Sequence, residues 1–337
     1  MAAGRGGRGA GSQGVKVAVV GAGAWGTALA NVAAEATGEL TPLIGRDPAR
    51  MTEIARDRVN AARLPNIPLH KGVYPTADKT TLADADIVLM VVPTQTLRAV
   101  CTEIAALVPT ETVVVSGCKG VEKGTLALPH VVLQEALPRS RRALLSGPSF
   151  AEDVALGLPT AVTLASPDEA AAALVCEALA TRSFRPYRST DIVGAALGGA
   201  AKNVLAIAAG AVAGRGLGAS AVAAMVARGF AELGRLGLAL GARPETLAGL
   251  SGLGDLVLTA SSTQSRNFSL GLALGRGEPP PNKLAEGAAT VEALVALAAE
   301  RGVEMPISAA VAEVLAGRVS VGAAVAGLLA RPLKSEI

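Results

Sequence analysis

A glycine-rich hexapeptide near the N-terminus restricts the fold of this chain more than any other feature. Gly21-Ala-Gly23-Ala-Trp-Gly26 follows the apolar run Val15–Val20 and opens a segment rich in Ala and Leu. In a strand–turn–helix unit, the first glycine permits the tight turn, the second lets backbone approach a pyrophosphate, and the third lets helix pack on strand. Free N–H groups at the helix start then favour phosphate. The pattern predicts a dinucleotide-binding βαβ unit, with a glycine turn that binds no ligand as the alternative.

Short apolar runs alternate with helical stretches through the first half of the chain. Beyond the first run, strands are predicted for 40–44, 85–92, 112–115, 143–145 and 161–165, and helices for 25–36 and 48–58. Ser166-Pro-Asp-Glu169 has the pattern of a capping box with Ser166 as N-cap, which opens a helix to about residue 180. Strands that alternate with helices favour a doubly wound, mostly parallel sheet covered on both faces.

The character of the chain changes near residue 190, where strand-like runs end and Ala, Leu and Gly dominate. Helical patterns cover 191–212, 219–240, 244–250, 268–275, 290–301, 307–316 and 320–330. We therefore predict an α/β Rossmann-type domain over residues 15–190 and an all-α domain over 191–330. Residues 1–14, with six glycines, and 331–337 are predicted to be tails.

Composition argues against several classes of protein. Half of the 337 residues are hydrophobic and 18% are charged, which is unlike a disordered chain. The 31 Lys and Arg against 28 Asp and Glu give a net charge of +3, without the clustered charge of a nucleic-acid-binding protein. The three cysteines and two histidines lack the spacing of a zinc site. We expect a small-molecule partner, no nucleic acid and no metal.

Residues 192–213 are the best candidate for a membrane span. Lys202 and Asn203 lie at the centre of this stretch, and most of its apolar residues are Ala and Gly. A central lysine costs about 2.5–3.5 kcal/mol of insertion free energy. We therefore expect a buried helix and no stable membrane insertion. Residues 1–14 contain no apolar run of the kind found in a signal peptide, and we expect a cytoplasmic protein.

The residue that follows the second predicted strand bears on the choice of cofactor. An Asp or Glu about twenty residues beyond the glycine turn holds the ribose hydroxyls of NAD. Gly45-Arg46-Asp47 instead places an arginine there, and a guanidinium can bind a 2′-phosphate or stack on adenine. Two alternatives stay open, namely Asp47 as the ribose ligand and Arg46 as a solvated surface charge. The sequence thus favours NADP(H) without excluding NAD(H).

Four further segments are specific enough to indicate a family. They are SGCKGVE at 116–122, LSGPSFAE at 145–152, GGAAKNV at 198–204, and GLGDL at 252–256 followed by Ser265-Arg266-Asn267. Together with GAGAWG, and in this order, they resemble the soluble bacterial NAD(P)-dependent glycerol-3-phosphate dehydrogenases from about residue 15 to 330. The resemblance implies a Rossmann-type domain before a helical substrate-binding domain. It also implies reversible reduction of dihydroxyacetone phosphate to sn-glycerol 3-phosphate, supply of glycerophospholipid synthesis, and a homodimer.

Two positions depart from the family pattern. Ala24 stands where the family often has Ser, and Arg63 stands where the family commonly has Tyr in Asn60-Ala-Ala-Arg63-Leu-Pro65. Ala24 has no hydroxyl for a phosphate, but backbone N–H groups supply most such contacts. Arg63 removes the aromatic ring at its position. Neither change touches the residues expected to carry the chemistry.

Reduction of a ketone by hydride transfer places negative charge on the carbonyl oxygen, where the site must supply a proton or a cation. Lys202 interrupts an otherwise apolar helix of small residues. Burial would lower its pKa toward general acid–base use, whereas the alternative is a lysine that reaches solvent from the helix flank. With the family motif around it, we expect Lys202 to be the proton donor and acceptor.

The other predicted site residues are charged groups and strand-end contacts. Asp255 is expected to accept a substrate hydroxyl or hold Lys202, with a plain helix N-cap as the alternative. The Arg266 guanidinium suits a phosphate, and Lys119 follows a strand end that faces the ligand crevice, with a solvated loop lysine as the alternative. The predicted catalytic residues are Lys202, Asp255 and Lys119. The predicted cofactor contacts are Gly21, Gly23, Ala24, Trp25, Gly26, Arg46, Lys119, Ala151, Arg266 and Glu286, of which the last three are implied by the family resemblance. The predicted substrate contacts are Lys119, Gly147, Ser149, Lys202, Asn203, Asp255, Ser265, Arg266 and Asn267, of which Gly147 and Ser149 are implied by the same resemblance.

Two rival functions are compatible with a dinucleotide turn. The same architecture serves 3-hydroxyacid and 6-phosphogluconate-type dehydrogenases, but Ser265-Arg266-Asn267 and Lys202-Asn203 argue against them. A cofactor-binding sensor without turnover would be expected to lack Lys202 or Asp255, and both are present.

Overall fold

The computed structural model describes residues 14–281 and 285–332. Its N-terminal part contains an eight-stranded sheet in the order β3-β2-β1-β4-β5-β6-β7-β8. The strands are Val17–Val20 (β1), Thr41–Ile44 (β2), Val73–Thr76 (β3), Ile87–Met90 (β4), Val113–Ser116 (β5), Arg141–Ser146 (β6), Thr160–Ala165 (β7) and Phe184–Ser189 (β8). All neighbouring strands pair in parallel except β6 and β7, which pair antiparallel. The prediction of a mostly parallel sheet is confirmed.

Helices cover both faces of this sheet. They are Ala24–Thr37 (α1), Pro48–Asp57 (α2), Thr94–Ile104 (α3), Pro129–Ala136 (α4), Ala151–Ala155 (α5) and Glu169–Leu179 (α6), with a 3₁₀ turn at Lys79–Asp84. Alternate residues of β1 enter opposite cores. Val17 and Val19 pack in the layer that contains α1 and α6, whereas Ala18 and Val20 pack with α3 and α4. Strands buried on both faces explain the continuous apolar runs in the sequence.

The chain after β8 is helical. Its helices are Ile192–Gly214 (α7), Ala219–Ala239 (α8), Pro244–Ala248 (α9), Asp255–Ala260 (α10), Arg266–Arg276 (α11), Glu286–Glu300 (α12), Pro306–Leu315 (α13) and Val321–Leu329 (α14). α7 packs against α8, α10, α11 and α12. It is long and apolar enough to cross a membrane by length and composition alone, but 94% of its most apolar window is buried inside the protein. This burial agrees with the predicted core helix.

The helical part and the sheet share one core. That core contains Leu144 of β6 and Ala165 of β7 together with residues of α7, α8 and α12. The last strand ends at Ser189 and α7 begins at Ile192, so the change of architecture falls near residue 190. The division into two domains stays a prediction. The predicted tails lie almost entirely outside the described residues.

The sequence patterns missed several elements and misplaced one helix cap. β3 and β8 are the two edge strands, and their sequences VYPT and FRPYRS contain a proline and exposed side chains, which edge strands tolerate. α3 and α4 were also not predicted. The predicted N-cap Ser166 is wrong: Asp168 caps α6 by accepting from the Ala171 N–H at 3.0 Å. The Ser166 hydroxyl instead donates to the Arg142 carbonyl oxygen at 2.8 Å, which ties it to the sheet.

Candidate active site

The turn after β1 has the geometry that a bound pyrophosphate requires. Gly21 adopts φ +118°, and a Cβ added there would collide with the Val91 carbonyl oxygen. At Gly26 an added Cβ would collide with the Gly21 carbonyl oxygen. Gly23 is the N-cap of α1, where an added Cβ would meet no atom within 4 Å and no side chain caps the helix. The first N–H groups of α1 thus have no side-chain cap, and a helix start of this kind fits a dinucleotide phosphate.

Trp25 and Ala151 lie beside this turn. They belong to the same apolar cluster, and the Trp25 ring is tilted against Phe184 with ring centroids 6.4 Å apart. The indole N–H is buried and has no hydrogen-bond partner within the described residues. It faces Gly117, where an added Cβ would lie 3.2 Å from Nε1. A buried donor without a partner is costly, and this one lies next to the turn.

Arg46 lies exposed after β2, and its neighbour Asp47 is engaged as a helix cap. Asp47 Oδ1 accepts from the Ala49 N–H at 3.1 Å and from the Arg50 N–H at 3.3 Å, which fixes the start of α2. The end of β2 also approaches the glycine turn, since a Cβ added at Gly45 would lie 3.3 Å from the Ala22 Cβ. The cap role accounts for Asp47, whereas Arg46 is an exposed cation close to the turn.

Lys119, Lys202 and Asp255 meet in one buried cluster where the carboxyl ends of the parallel strands face the helices. Lys119 Nζ lies 2.6 Å from Asp255 Oδ2, and Lys202 Nζ lies 3.0 Å from Asp255 Oδ1. Lys202 is 7% exposed and Asp255 is 1% exposed. Lys202 therefore does not extend to solvent, and Lys119 is not a solvated loop lysine.

Three separate elements bring this cluster together. Lys119 follows β5, Lys202 lies within α7, and Asp255 is the first residue of α10 after a π-helical turn at Leu250–Gly254. That turn approaches α7 closely, because a Cβ added at Gly198 would lie 2.9 Å from the Gly252 Cα. The alternative of Asp255 as an N-cap is wrong, since Gly254 occupies that position and no side chain caps α10.

The charges within the cluster set its protonation states. The pKa of Lys202 is lowered to about 8, because burial, against the opposing charge of Asp255 and together with the charge of Lys119, disfavours the ammonium form. Burial by itself would raise the pKa of Asp255, but Lys119 and Lys202 together hold it below its usual value. Asp255 therefore stays ionised while Lys202 titrates near neutral pH, as a group that gives and takes a proton requires.

Thr259 belongs to the cluster and was missed by the sequence analysis. It accepts a hydrogen bond from Lys202 Nζ at 2.8 Å, and its own hydroxyl donates to Asp255 Oδ1 at 3.2 Å. Thr259 lies one helical turn after Asp255 in α10, so the i,i+4 spacing was a usable signal. The hydroxyl gives Lys202 a second fixed partner and orients its ammonium group.

Two buried amides extend from the cluster toward α12. Asn203 Nδ2 donates to the Lys119 carbonyl oxygen at 3.3 Å, and Asn267 Nδ2 donates to Asn203 Oδ1 at 2.9 Å. Asn267 Oδ1 accepts from the Gly287 N–H at 2.9 Å. Both asparagines were predicted substrate contacts, and both lie next to the lysine cluster. Their amides also link the Lys119 loop to α7, α11 and α12.

Arg266 and Glu286 begin α11 and α12, and Glu286 lies close to Arg266 and to both lysines of the cluster. Desolvation raises the pKa of Glu286, whereas the charges of Arg266, Lys202 and Lys119 lower it. The Arg266 side chain is exposed, whereas Ser265 is buried and caps α11 by accepting from the Phe268 N–H at 3.2 Å. An exposed guanidinium therefore lies next to Glu286 at the edge of the buried cluster.

Gly147 and Ser149, which follow the end of β6, lie next to Lys119. The Gly147 carbonyl oxygen accepts from Lys119 Nζ at 3.1 Å and from the Ser149 hydroxyl at 3.0 Å. Gly147, Asn203 and Asn267 thus connect to the lysine cluster through hydrogen bonds, and their roles as substrate contacts stay a prediction. In the described part of the chain, no group of three or more His, Cys, Asp or Glu residues is arranged to hold a metal ion.

Comparison with known proteins identifies the family. The models for the N-terminus and the C-terminus of NAD-dependent glycerol-3-phosphate dehydrogenase match residues 16–172 and 191–326. This chain belongs to that family. Two curated relatives are called glycerol-3-phosphate dehydrogenase (NAD(P)+). The one from Azorhizobium caulinodans is 59% identical over 323 residues, and the one from a Bradyrhizobium species is 59% identical over 321 residues. Each alignment covers 95% of this chain and 98% of the relative.

A solved structure supports the same assignment. The crystal structure of glycerol-3-phosphate dehydrogenase from Coxiella burnetii has a TM-score of 0.90 and 38% sequence identity, and covers 94% of this chain and 99% of that one. The similarity extends over both the sheet and the helical part, so it is not confined to a generic dinucleotide-binding unit. The chain is therefore an NAD(P)-dependent oxidoreductase of this family, and neither rival function is supported.

Proposed function

We propose that this dehydrogenase reduces dihydroxyacetone phosphate reversibly to sn-glycerol 3-phosphate, with Lys202 as proton donor and acceptor. The observation that carries the proposal is the buried Lys119–Asp255–Lys202 cluster, which lies where the sheet meets the helical part. The nicotinamide group, when bound, supplies or accepts the hydride. The protein must then deliver a proton to the carbonyl oxygen at C2 of the substrate, and Lys202 is the group with a suitable pKa.

The other members of the cluster hold and tune Lys202. Asp255 keeps the ammonium form populated near neutral pH and fixes its position, and Thr259 restricts its orientation. Lys119 adds a second positive charge, which stabilises negative charge as it develops on the substrate oxygen. In the direction of oxidation, neutral Lys202 accepts the hydroxyl proton of glycerol 3-phosphate. The same pair of protonation states thus serves both directions.

Arg266 is proposed to bind the phosphate of the substrate. Arg266 is exposed at the start of α11 and lies close to Glu286, which is itself close to the two lysines. A planar guanidinium binds two phosphate oxygens at once. We assign Gly147, Ser149, Asn203, Ser265 and Asn267 to the remaining walls of the substrate site. Binding energy from the phosphate then supports reaction at C2, which lies away from it.

The glycine turn is proposed to hold the cofactor phosphates. Gly21, Gly23, Ala24, Trp25 and Gly26 form this subsite, and Ala151, Lys119, Arg266 and Glu286 are further proposed cofactor contacts. Arg46 is proposed to favour NADPH over NADH by binding the 2′-phosphate, and the helix-cap role of Asp47 supports this preference. Both cofactors are expected to be accepted.

Assembly, domains and location are further proposals. We propose a cytoplasmic homodimer that supplies glycerophospholipid synthesis, made of domains at 15–190 and 191–330. Support for the homodimer comes from α14, an apolar helix of sequence VGAAVAGLL with no buried residue. Leu329 in this helix is 81% exposed, and exposed apolar faces of this kind favour association.

The decisive experiment is oxidation of NADPH and NADH with dihydroxyacetone phosphate, followed by absorbance. We expect turnover with both cofactors, faster reduction of dihydroxyacetone phosphate than of 3-ketoacids, and reversal with sn-glycerol 3-phosphate. Greater kcat/KM for a 3-hydroxyacid or 6-phosphogluconate than for glycerol 3-phosphate would refute the substrate assignment. Tight cofactor binding without turnover of any substrate would indicate a sensor.

A further inference from the structure

A buried asparagine joins the glycine turn to the helix that follows β2. Asn60 is 0% exposed. Its Nδ2 donates to the Ala22 carbonyl oxygen at 3.1 Å and to Thr27 Oγ1 at 2.8 Å, and its Oδ1 accepts from Arg50 Nη2 at 2.9 Å. The amide is therefore bonded on both sides, to the turn through nitrogen and to α2 through oxygen. The proposed reaction gives Asn60 no role.

The bond to Ala22 sets the orientation of the peptide group that precedes Gly23. A peptide unit is planar, and its C=O and N–H point in opposite directions. Because Asn60 holds the Ala22 carbonyl oxygen, the N–H of Gly23 is directed away from Asn60. Thr27, bonded to the same amide, donates its hydroxyl to the Gly23 carbonyl oxygen at 2.8 Å. Asn60 thus restrains the peptides on both sides of Gly23, where an added side chain would meet only open space.

The bond to Arg50 places a second guanidinium near the end of β2. Arg50 lies in the first turn of α2, four residues after Arg46, and is partly buried. The Asn60 side chain accepts a hydrogen bond from one terminal nitrogen of this guanidinium and donates one to the Ala22 carbonyl oxygen. The Arg50 guanidinium is therefore linked to the glycine turn through a single side chain. In a sheet of this topology, the end of β2 faces the adenosine ribose of a bound dinucleotide. A guanidinium has five N–H donors, so several remain for a phosphate.

We infer that Asn60 is a positioning residue for the dinucleotide, and that the Arg50 it holds is a second cation for the 2′-phosphate of NADPH. The inference rests on the proposed placement of the cofactor on the glycine turn. The pyrophosphate occurs in both cofactors, whereas the 2′-phosphate occurs in NADPH alone. Asn60 therefore acts on the binding of both cofactors, and Arg50 acts selectively on NADPH.

The fluorescence of Trp25 measures these effects without turnover. Trp25 is the single tryptophan of the chain and lies in the glycine turn, so titration with NADPH and with NADH gives a dissociation constant for each. Asn60→Asp retains an oxygen for Arg50 but loses the two N–H donors, and should weaken both cofactors by about tenfold. Arg50→Gln should weaken NADPH by about tenfold and NADH by less than about twofold.

Matched variants separate these effects from a general disturbance. Arg56, also in α2, is exposed and paired with Asp57, and Arg56→Gln should leave both dissociation constants unchanged. Arg50→Lys should restore part of the NADPH affinity, because a point charge replaces only part of the guanidinium fork. Thr27→Val removes one acceptor of Asn60 and the bond to Gly23, and should weaken both cofactors even if Asn60→Asp does not fold.

The outcomes distinguish this inference from the proposed function. An unchanged ratio of NADPH to NADH affinity in Arg50→Gln would overturn the assignment of Arg50. Wild-type affinity for both cofactors in folded Asn60→Asp, or in Thr27→Val, would overturn the positioning role of Asn60. Failure of the wild-type protein to bind either cofactor would instead overturn the proposed cofactor site.

Discussion

Neutralising Asp255 perturbs the electrostatics of the lysine cluster with little change in shape. Asp255→Asn removes a negative charge 3.0 Å from Lys202 Nζ and 2.6 Å from Lys119 Nζ. An opposite charge at such a distance commonly shifts a pKa by about 1–3 units. The carboxylate favours the charged form of Lys202, so its loss lowers the pKa. From about 8 in the wild type, the pKa of Lys202 should fall to roughly 5–7 in the variant.

The pKa of Lys202 determines how kcat depends on pH in reduction and in oxidation. Reduction needs protonated Lys202, so its kcat should be level below the pKa and fall as pH rises through about 8. Oxidation needs neutral Lys202, so its kcat should rise over the same range. For a downward shift of two units, the protonated fraction at pH 7 falls from about 90% to about 10%. Asp255→Asn should therefore lose about tenfold in reduction at pH 7 through protonation alone.

The assay is kcat against pH in both directions, with saturating substrates, for wild type and variant. Thr259→Val is the matched control, because it removes an uncharged partner 2.8 Å from the same ammonium group; its inflection should move by less than about one unit. Coincident inflections in wild type and Asp255→Asn, or an upward shift in the variant, would refute the electrostatic reasoning.

Two further predictions test the phosphate site and a buried helix cap. Arg266→Ala should reduce kcat/KM for dihydroxyacetone phosphate strongly and for unphosphorylated dihydroxyacetone little; equal loss on both substrates would show that Arg266 acts on the cofactor or the fold. Glu232, which is 1% exposed, accepts from the Ile307 N–H and from the N–H and hydroxyl of Ser308 at the start of α13. Glu232→Ala should lower the free energy of unfolding, measured by urea denaturation, by about 1–3 kcal/mol. The comparison is Ser320→Ala, which removes the exposed N-cap of α14, where Ser320 accepts from the Ala323 N–H at 3.1 Å; this loss should be about 0.5–1 kcal/mol. Equal losses would contradict the buried-cap role of Glu232.

The parts of the fold that local sequence determines were predicted well. The glycine turn is marked by local backbone geometry, such as the φ of +118° at Gly21, and the apolar strands are marked by burial on both faces, so both are visible in the sequence as a direct pattern. The edge strands β3 and β8 have no such pattern in the sequence. Each has a neighbouring strand on one side only, so these strands tolerate Pro75, Pro186 and exposed arginines. The N-cap of α6 is Asp168 and not the predicted Ser166, because the Ser166 hydroxyl donates to the Arg142 carbonyl oxygen of the sheet. No local motif reveals that contact.

The site was predictable as a set of residues but not as a network. Lys202 is recognisable as a lysine within an apolar helix, and Asp255 is recognisable because it follows Gly252-Leu-Gly254. Their pairing joins positions 53 residues apart, and the bond between Asn203 and the Lys119 carbonyl oxygen joins positions 84 apart. Such contacts depend on how α7 crosses the end of the sheet. Asn60 was named in the Asn60-Ala-Ala-Arg63 segment, but its role was not predicted for the same reason, because its partner Ala22 is 38 residues away.

The central claim is that Lys202 transfers the proton, and chemical rescue tests it directly. Lys202→Ala should lower kcat for dihydroxyacetone phosphate reduction by roughly 10²–10⁴-fold, while NADPH affinity measured by Trp25 fluorescence stays close to that of the wild type. Added methylammonium, which supplies the missing ammonium group to the vacated space, should restore part of the lost rate in proportion to its protonated concentration. Near-wild-type turnover by folded Lys202→Ala without any added amine would contradict the account.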